Sequence, residues 1–278
     1  MMTSAPACGK MSPDREVCNF IHFYLRRYYT LRTVIWLIRA FFYLLGAIPD
    51  MKRAGRLREA GQMDEFYSVV DNRVRDFARQ MLKNAGVTVE MHGAENFTGV
   101  PAVIVANHQS DFDIPIMLAS MDKPYGMVAK MSIKKIPLVR TWMDYIGCTF
   151  IDRSDARQSI KALNESGNQI TLGRSIVIFP EGTRSKSDEM AEFGSGAFKV
   201  AFKHKAPIIP VCIDGSYKIM EANNGKWIKP GHVIVTVLPA IETADMERSE
   251  QKTIDKRIRE ELLAAREASR ASYKANDL

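Results

Sequence analysis

The fold class is clearest in the segment "PAVIVANHQSDFDIPIMLA" (residues 101–119), which passes from an apolar run through a polar octapeptide to a second apolar run. The run "AVIVA" has the composition of a buried β-strand, and "IPIMLA" begins a helical pattern. Between them, Ser110 or Asp111 is expected to cap the helix N-terminus. Such a turn requires no histidine. We therefore expect His108 on a loop at the carboxyl end of a strand, where α/β proteins place their active sites.

Alternation of strand and helix patterns continues on both sides of this segment. Further β-rich runs are "VTVEM" from residue 87, "CTFI" from 148, "SIVIF" from 175, "PIIPVCI" from 207 and "HVIVTV" from 232. Helical patterns cover residues 111–120, 155–173, 194–203 and about 243–273. The alternation predicts an α/β domain over residues 85–278, with a mixed, largely buried sheet flanked by helices.

The first 84 residues have a different pattern and are predicted to form a membrane-associated helical region. Residues 1–60 contain ten Lys or Arg and four Asp or Glu, so this part carries +6 of the net charge of +7. Residues 33–49 are mostly apolar, but they fall short of the roughly 20 that a spanning helix needs, and Arg39 interrupts them. A helix lying in one leaflet fits best. A spanning helix and a core helix remain alternatives.

A second N-terminal helix is predicted over residues 63–83. Its apolar residues recur at three- and four-residue steps, and charged residues occupy the other face. The two helices are expected to form a hairpin that lies on a membrane.

Composition limits the function classes. Hydrophobic residues make up 46% of the chain and charged residues 26%, which is typical of an ordered globular protein. The four cysteines show no CxxC pairing and no metal-ligand spacing, so free thiols in a reducing compartment are expected and no metal site is predicted.

His108 and Asp113 are the first candidate catalytic pair. Five residues along one straight helix would turn the two side chains about 140° apart, but a loop that leads into a helix allows them to meet. A carboxylate that holds an imidazole is the usual general-base arrangement. The alternative is a loop histidine beside a helix-capping aspartate.

The stretch "SIVIFPEGTRS" (residues 175–185) supplies the second group of candidates. Arg184 offers donors suited to phosphate, Gly182 permits close backbone approach, and Thr183 adds a hydroxyl. Glu181 is suited to accept hydrogen bonds from a polyol. An ordinary turn with a solvated arginine is the alternative.

Two further cations follow predicted strands or segments. Arg153 ends "GCTFIDR", and Lys130 lies in "MVAKMS". Both are candidate phosphate ligands, with ordinary surface residues as the alternative.

Taken together, "NHQSDFD", "GCTFIDR", "FPEGTRS" and "APIIPV" closely resemble, in this order, the sequence blocks of the glycerolipid acyltransferase family, and in particular its lysophosphatidate acyltransferases. The family's NHxSxxD block is matched in full by Asn107, His108, Ser110 and Asp113, and its FPEGTRS block is unbroken. The resemblance covers about residues 85–240 and is much weaker in the first 80 residues.

The resemblance implies transfer of a fatty acyl group from a thioester to the sn-2 hydroxyl of 1-acylglycerol 3-phosphate, giving phosphatidic acid. His108 would act as general base and Asp113 would orient it, with no acyl-enzyme and no cofactor beyond the co-substrate. Acceptor-binding positions would be Arg153, Glu181, Gly182, Thr183 and Arg184, and Lys130 joins them mainly on its charge and position. The donor is left open between acyl-CoA and acyl carrier protein. An acceptor such as glycerol 3-phosphate or another lysophospholipid is the alternative.

These substrates partition into bilayers, so a phospholipid membrane is the expected partner and the cytoplasmic face of the cell membrane the expected location. A nucleic-acid-binding protein would also be basic, but the apolar density of residues 33–49 argues against nucleic acid as a partner. A catalytically inactive lipid-binding scaffold is a further rival, against which the intact His108 and Asp113 argue.

Overall fold

The computed structural model describes residues 13–121, 123–152 and 154–276. Within these residues the helices are α1 Pro13–Gly46, α2 Ile48–Glu59, α3 Met63–Ala85, α4 Asp113–Ser120, α5 Pro137–Tyr145, α6 Ala156–Ser166, α7 Asn168–Thr171, α8 Gly196–His204, α9 Arg248–Gln251 and α10 Ile254–Asn276. The strands are β1 Val87–His92, β2 Val103–Ala106, β3 Gly126–Lys130, β4 Thr149–Ile151, β5 Ile176–Ile178, β6 Ile208–Asp214 and β7 Gly231–Val237.

The seven strands form one sheet in the order β1-β7-β6-β2-β5-β3-β4. Every neighbouring pair is parallel except β6 and β7, so the predicted mixed sheet is confirmed. Central strands β2, β5 and β6 are buried along their whole length, which explains their continuous apolar sequences. In the α/β part of the chain, strand β3 and helix α5 were not predicted.

Helices cover both faces of the sheet because β2 alternates its side chains between two cores. Ala102, Ile104 and Ala106 face a core built with α2 to α5, whereas Val103 and Val105 face a core built with α8 and α10. The predicted final helix is shorter than expected: α10 begins at Ile254 and follows the single turn of α9. Its Ile254, Ile258 and Leu262 are buried, as their spacing predicts.

The N-terminal helices differ from the predicted hairpin. Helix α3 matches the predicted residues, but its apolar stripe is buried against the sheet and is not available to a membrane. The extra helix α2 lies between the predicted pair. Since α3 shares one continuous core with β7, packing crosses the sequence boundary that separates residues 1–84 from 85–278.

Among the described residues, α1 is the helix that exposes a wide apolar face, while its inner side contacts the rest of the molecule. The exposed large side chains are Tyr24, Tyr28, Leu31, Val34, Ile35, Leu37, Ile38, Phe41, Phe42 and Leu45. On the inner side, the indole N–H of Trp36 donates to the carbonyl of Met81 (2.9 Å), and the Trp36 ring contacts Phe112, their centroids 5.8 Å apart.

In the described part of the chain, no single helix has the length and apolar character needed to cross a bilayer. Two consecutive segments, Arg27–Gly46 and Ile48–Glu59, bent by 41° at their junction, meet that criterion only when taken together.

Candidate active site

Parallel pairing brings the chemically distinctive loops to one edge of the sheet. β2, β5, β3 and β4 are neighbours that run in the same direction, so their carboxyl ends meet there. His108 follows β2, the segment 181–184 follows β5, and Lys130 ends β3. Arg153, which follows β4 in sequence, lies outside the described residues. The convergence of three predicted segments follows directly from the strand order.

His108 and Asp113 meet as predicted. The Nδ1 of His108 lies 2.8 Å from Oδ2 of Asp113, and the side chains are 12% and 0% exposed. Because the carboxylate can only accept, Nδ1–H is the donor, and the lone pair of the imidazole is then on Nε2. The imidazole stacks on Phe179 at the end of β5, with ring centroids 4.2 Å apart and planes inclined by 21°.

The expected helix cap at Ser110 or Asp111 is wrong. Helix α4 begins at Asp113 and has no side-chain cap at its N-terminus. Asp113 instead folds back, and its Oδ2 accepts from the backbone N–H groups of Gln109 (2.7 Å) and Ser110 (2.8 Å) as well as from His108. One buried oxygen therefore fixes both the imidazole and the loop that carries it.

Asn107 and Gln109 anchor the same loop to β6 and its end. The Asn107 side chain donates to the carbonyl of Ile213 (2.9 Å) and accepts from its N–H (2.7 Å). The Gln109 side-chain carbonyl accepts from the N–H of Gly215 (3.0 Å). Both side chains are 1% exposed, so this loop is fixed on two sides of His108.

Glu181 connects the two candidate loops through its carboxylate. Its Oε1 accepts from the N–H of His108 (2.7 Å) and its Oε2 from the N–H of Ala191 (3.0 Å). Burial raises the pKa of the Glu181 carboxyl above its ordinary value, against the lowering effect of these two N–H groups. Direct contact of Glu181 with a substrate stays a prediction.

Arg184 is held by two carboxylates. Its Nη1 donates to Asp111 and to Glu221 Oε1, the latter at 3.1 Å. The Glu221 side chain is 3% exposed, and its oxygens also accept from the Ser110 hydroxyl (2.5 Å) and the Asp111 N–H (2.9 Å). Sequence reasoning missed Glu221, because it lies more than a hundred residues from the loop it contacts and belongs to no recognised block.

A cavity of about 830 Å³ opens beside His108. Its polar lining includes Lys130, Gly182, Thr183, Arg184 and Lys186, so four of the predicted acceptor-binding residues share the cavity with His108. Gly182 adopts φ +70°, a left-handed conformation that favours glycine, and a Cβ there would meet nothing within 4 Å.

Much of the remaining wall of this cavity is apolar and is built by several helices, although Tyr43, Arg73, Asp111 and Ser132 also line it. It includes Leu44, Val74, Phe77, Ile114, Leu118, Val139, Trp142, Met143 and Ile146. Cys148 lies in the same wall, and burial raises the pKa of its thiol to about 12, so the thiol is neutral and is no nucleophile. Among the described residues, no cluster of three or more His, Cys, Asp or Glu is arranged to hold a metal ion.

Residues 88–214 match the family model described as Acyltransferase, a segment that includes both His108 and Arg184. This segment therefore carries the acyltransferase domain that the family model describes. The chain is 39% identical over 141 residues to the probable 1-acyl-sn-glycerol-3-phosphate acyltransferase of Mycoplasma pneumoniae, which covers 49% of this chain and 53% of that protein. It is 32% identical over 193 residues to the 1-acyl-sn-glycerol-3-phosphate acyltransferase of Saccharomyces cerevisiae, and this match covers 68% of this chain and 63% of that protein. The chain thus spans about half to two thirds of the length of these relatives.

The fold of this chain also matches a solved structure. The crystal structure of the 1-acyl-sn-glycerophosphate acyltransferase PlsC from Thermotoga maritima superposes with a TM-score of 0.77 at 23% identity, over 88% of this chain and 98% of that one. At this level of identity the match establishes the fold, and it confirms the predicted α/β class.

Proposed function

We propose that this acyltransferase moves a fatty acyl group from a thioester to the sn-2 hydroxyl of 1-acylglycerol 3-phosphate. One observation carries the proposal: His108, which is paired with Asp113, lines a cavity with a cationic part and an apolar part. The names of the Mycoplasma pneumoniae and Saccharomyces cerevisiae relatives support the same acceptor.

His108 has the geometry of a general base. Its Nε2 takes the proton of the acceptor hydroxyl as the oxygen attacks the thioester carbonyl. The tetrahedral intermediate then collapses with cleavage of the carbon–sulfur bond, and the imidazolium returns the proton to the departing thiolate. Asp113 holds Nδ1–H throughout, which fixes the ring and stabilises the imidazolium.

The oxyanion of the intermediate needs hydrogen-bond donors from outside the histidine loop. Every backbone N–H of residues 108–112 already donates to a side chain of Glu181, Asp113, Glu221 or Ser110. The Gly182 N–H already donates to the carbonyl of Phe179 (3.1 Å). The N–H groups of Thr183 and Arg184, two residues that line the cavity, are the proposed donors.

The acceptor phosphate is proposed to bind at the cationic part of the cavity, on Arg184 and Lys130. The contacts of Arg184 with Asp111 and Glu221 use Nη1, so its Nη2 and Nε are available to a phosphate. An acyl chain is proposed to occupy the apolar wall, where its burial contributes about 0.8 kcal/mol for each methylene.

Membrane association is proposed to occur through α1. Ten large aromatic and aliphatic side chains of this helix are exposed, and a concentration of exposed apolar side chains is typical of membrane or protein contacts. Lys52, Arg53, Arg56 and Arg58 on α2 lie next to it in the chain and suit anionic headgroups. We propose that α1 lies in the cytoplasmic leaflet, with a bent span as the alternative.

The test is an acyl-transfer assay of the purified full chain with lysophosphatidate, using acyl-CoA and acyl carrier protein thioesters in parallel. Phosphatidic acid formation with either donor supports the proposal and identifies the donor. A panel with glycerol 3-phosphate and other lysophospholipids tests the alternative acceptors. If the protein acylates one of these alternative acceptors but does not acylate lysophosphatidate, the proposed acceptor is wrong.

A further inference from the structure

Helix α10 holds the segment on which Glu181 depends. The Nε of Arg259 donates to the carbonyl of Ala191 (2.9 Å), and its Nη2 donates to the carbonyl of Met190 (2.7 Å). The Arg259 side chain is 25% exposed, and its Nη1 lies 3.7 Å from the exposed carboxylate of Glu192. One guanidinium therefore bridges two consecutive carbonyls of the chain.

The peptide unit that joins Met190 to Ala191 is also connected to the active-site loop, through its N–H group. The carbonyl of Met190 and the N–H of Ala191 belong to one planar peptide, in which the two groups point in opposite directions. Arg259 holds that carbonyl, and the N–H donates to Glu181 Oε2 at 3.0 Å. Fixing the carbonyl therefore fixes the direction of the N–H.

Glu181 passes this constraint to the backbone of His108. Its second oxygen accepts from the His108 N–H at 2.7 Å, and the His108 carbonyl accepts from the N–H of Ser185 at 2.8 Å. Hydrogen bonds in such a chain polarise one another, so the loss of one weakens the next. The raised pKa of Glu181 shows that burial disfavours its carboxylate, which makes its two N–H donors important for keeping it ionised.

We propose that Arg259 is a positioning residue for acyl transfer, acting through the 190–191 peptide and Glu181 on the backbone of His108. The inference rests on the proposed acyltransferase function. Arg259 touches no substrate in this account. It sets the orientation of the general base from the opposite end of the chain.

The experiment compares Arg259→Ala and Arg259→Lys with the matched controls Arg257→Ala and Arg257→Lys. Arg257 is on the same helix, its side chain is 55% exposed, and within the described part of the chain that side chain pairs with Glu261. Arg259→Ala should lower kcat about tenfold and leave both substrate KM values within about twofold, because orientation of the base is lost while binding is kept. Arg259→Lys should recover part of kcat, since an ammonium can still donate to one carbonyl.

Coupling to Glu181 separates positioning from a general loss of stability. Arg259→Ala combined with Glu181→Gln should reduce kcat little more than Glu181→Gln alone, because both act through one relay. Amide hydrogen exchange of the peptide 106–113 should be faster in Arg259→Ala than in Arg257→Ala. Each variant is measured at the same number of degrees below its own melting temperature. If Arg259→Ala does not fold, kcat, the coupling to Glu181→Gln and the amide exchange are compared between Arg259→Lys and Arg257→Lys.

A kcat for Arg259→Ala within about twofold of Arg257→Ala, additive effects with Glu181→Gln, or unchanged exchange would each overturn the positioning role. Failure of the proposed function has a different signature. In that case the wild-type chain forms no phosphatidic acid, and the exchange of 106–113 alone decides whether Arg259 positions the loop.

Discussion

At the scale of single residues, one oxygen of Asp113 has two tasks, since it holds the His108 imidazole and two backbone N–H groups of the loop. The sequence left open whether Asp113 holds the histidine or caps the helix. The structure brings the carboxylate to the imidazole, whereas helix α4 has no side-chain cap. The two N–H groups that Asp113 also accepts from belong to the loop before the helix.

Replacing the base should remove most of the activity without unfolding the protein. His108→Ala should lower kcat/KM by at least about 10²–10⁴-fold, because a positioned general base contributes that much. The melting temperature should change little, since the imidazole is on a loop at the cavity. Steady-state kinetics and thermal unfolding of the same samples provide the measurement. Retention of more than about a tenth of the activity would show that His108 is not the base.

Asp113→Asn tests whether the carboxylate acts through the histidine. Asparagine keeps an oxygen for the two backbone N–H groups but holds the imidazole less well, so the loss should be somewhat smaller than for His108→Ala. The double variant should be no worse than His108→Ala alone. Losses in kcat/KM that multiply would mean that Asp113 acts independently of His108.

Arg184→Ala should weaken use of the acceptor. Loss of a charge-assisted hydrogen bond to phosphate costs about 1.5–3 kcal/mol, which corresponds to a roughly ten- to hundredfold lower acceptor kcat/KM. The variant also leaves Asp111 and Glu221 without a cation beside the phosphate. Lys186→Ala, which removes a cation from the same cavity, is the control for general charge effects. If the acceptor kcat/KM of Arg184→Ala equals that of Lys186→Ala, Arg184 does not bind the phosphate.

At the scale of elements, the sequence predicted strands with continuous apolar composition and helices with clear periodicity. It missed β3, which begins with glycine and is only partly buried, and α5, which is only nine residues long. It also assigned the apolar stripe of α3 to a membrane, although that stripe covers the sheet. An amphipathic pattern shows which face is buried but not which partner buries it.

Helix α1 is the element on which membrane association is expected to depend. Phe41→Glu with Phe42→Glu should weaken binding to anionic vesicles at least about tenfold, because each buried aromatic side chain contributes about 1.5–3 kcal/mol. Both rings are more than half exposed, at 57% and 64%, so folding should be kept. Deleting the helix is a poorer test, since it would also remove the Trp36 contact with Phe112.

Vesicle co-sedimentation at low and high salt measures this binding. Leu172→Glu is the matched control, since Leu172 is 62% exposed but lies after α7 in the α/β part of the chain. If the Phe41 and Phe42 variant binds vesicles as well as the control does, the membrane contact is elsewhere in the chain.

At the scale of the whole molecule, the cavity explains why the N-terminal helices and the sheet share one core. Leu44 of α1, Phe77 of α3 and Ile114 of α4 all contribute to its apolar wall, and Ile114 is next to Asp113. The sequence placed the reacting groups by their position at strand ends, but it gave no indication of this cavity. Its wall depends on contacts between residues that are far apart in the chain.

The same wall should set which acyl chains the enzyme prefers. Ile114→Phe should shift the preferred chain towards shorter lengths, because a larger side chain reduces the space available beside the base. Each methylene that no longer fits costs about 0.8 kcal/mol, a factor of about four in kcat/KM. Ile114→Ala should reduce the discrimination against longer chains. The measurement is kcat/KM over a series of saturated acyl donors, with Leu172→Phe as a surface control. A chain-length profile for Ile114→Phe that coincides with that of the control would place the acyl chain outside this cavity.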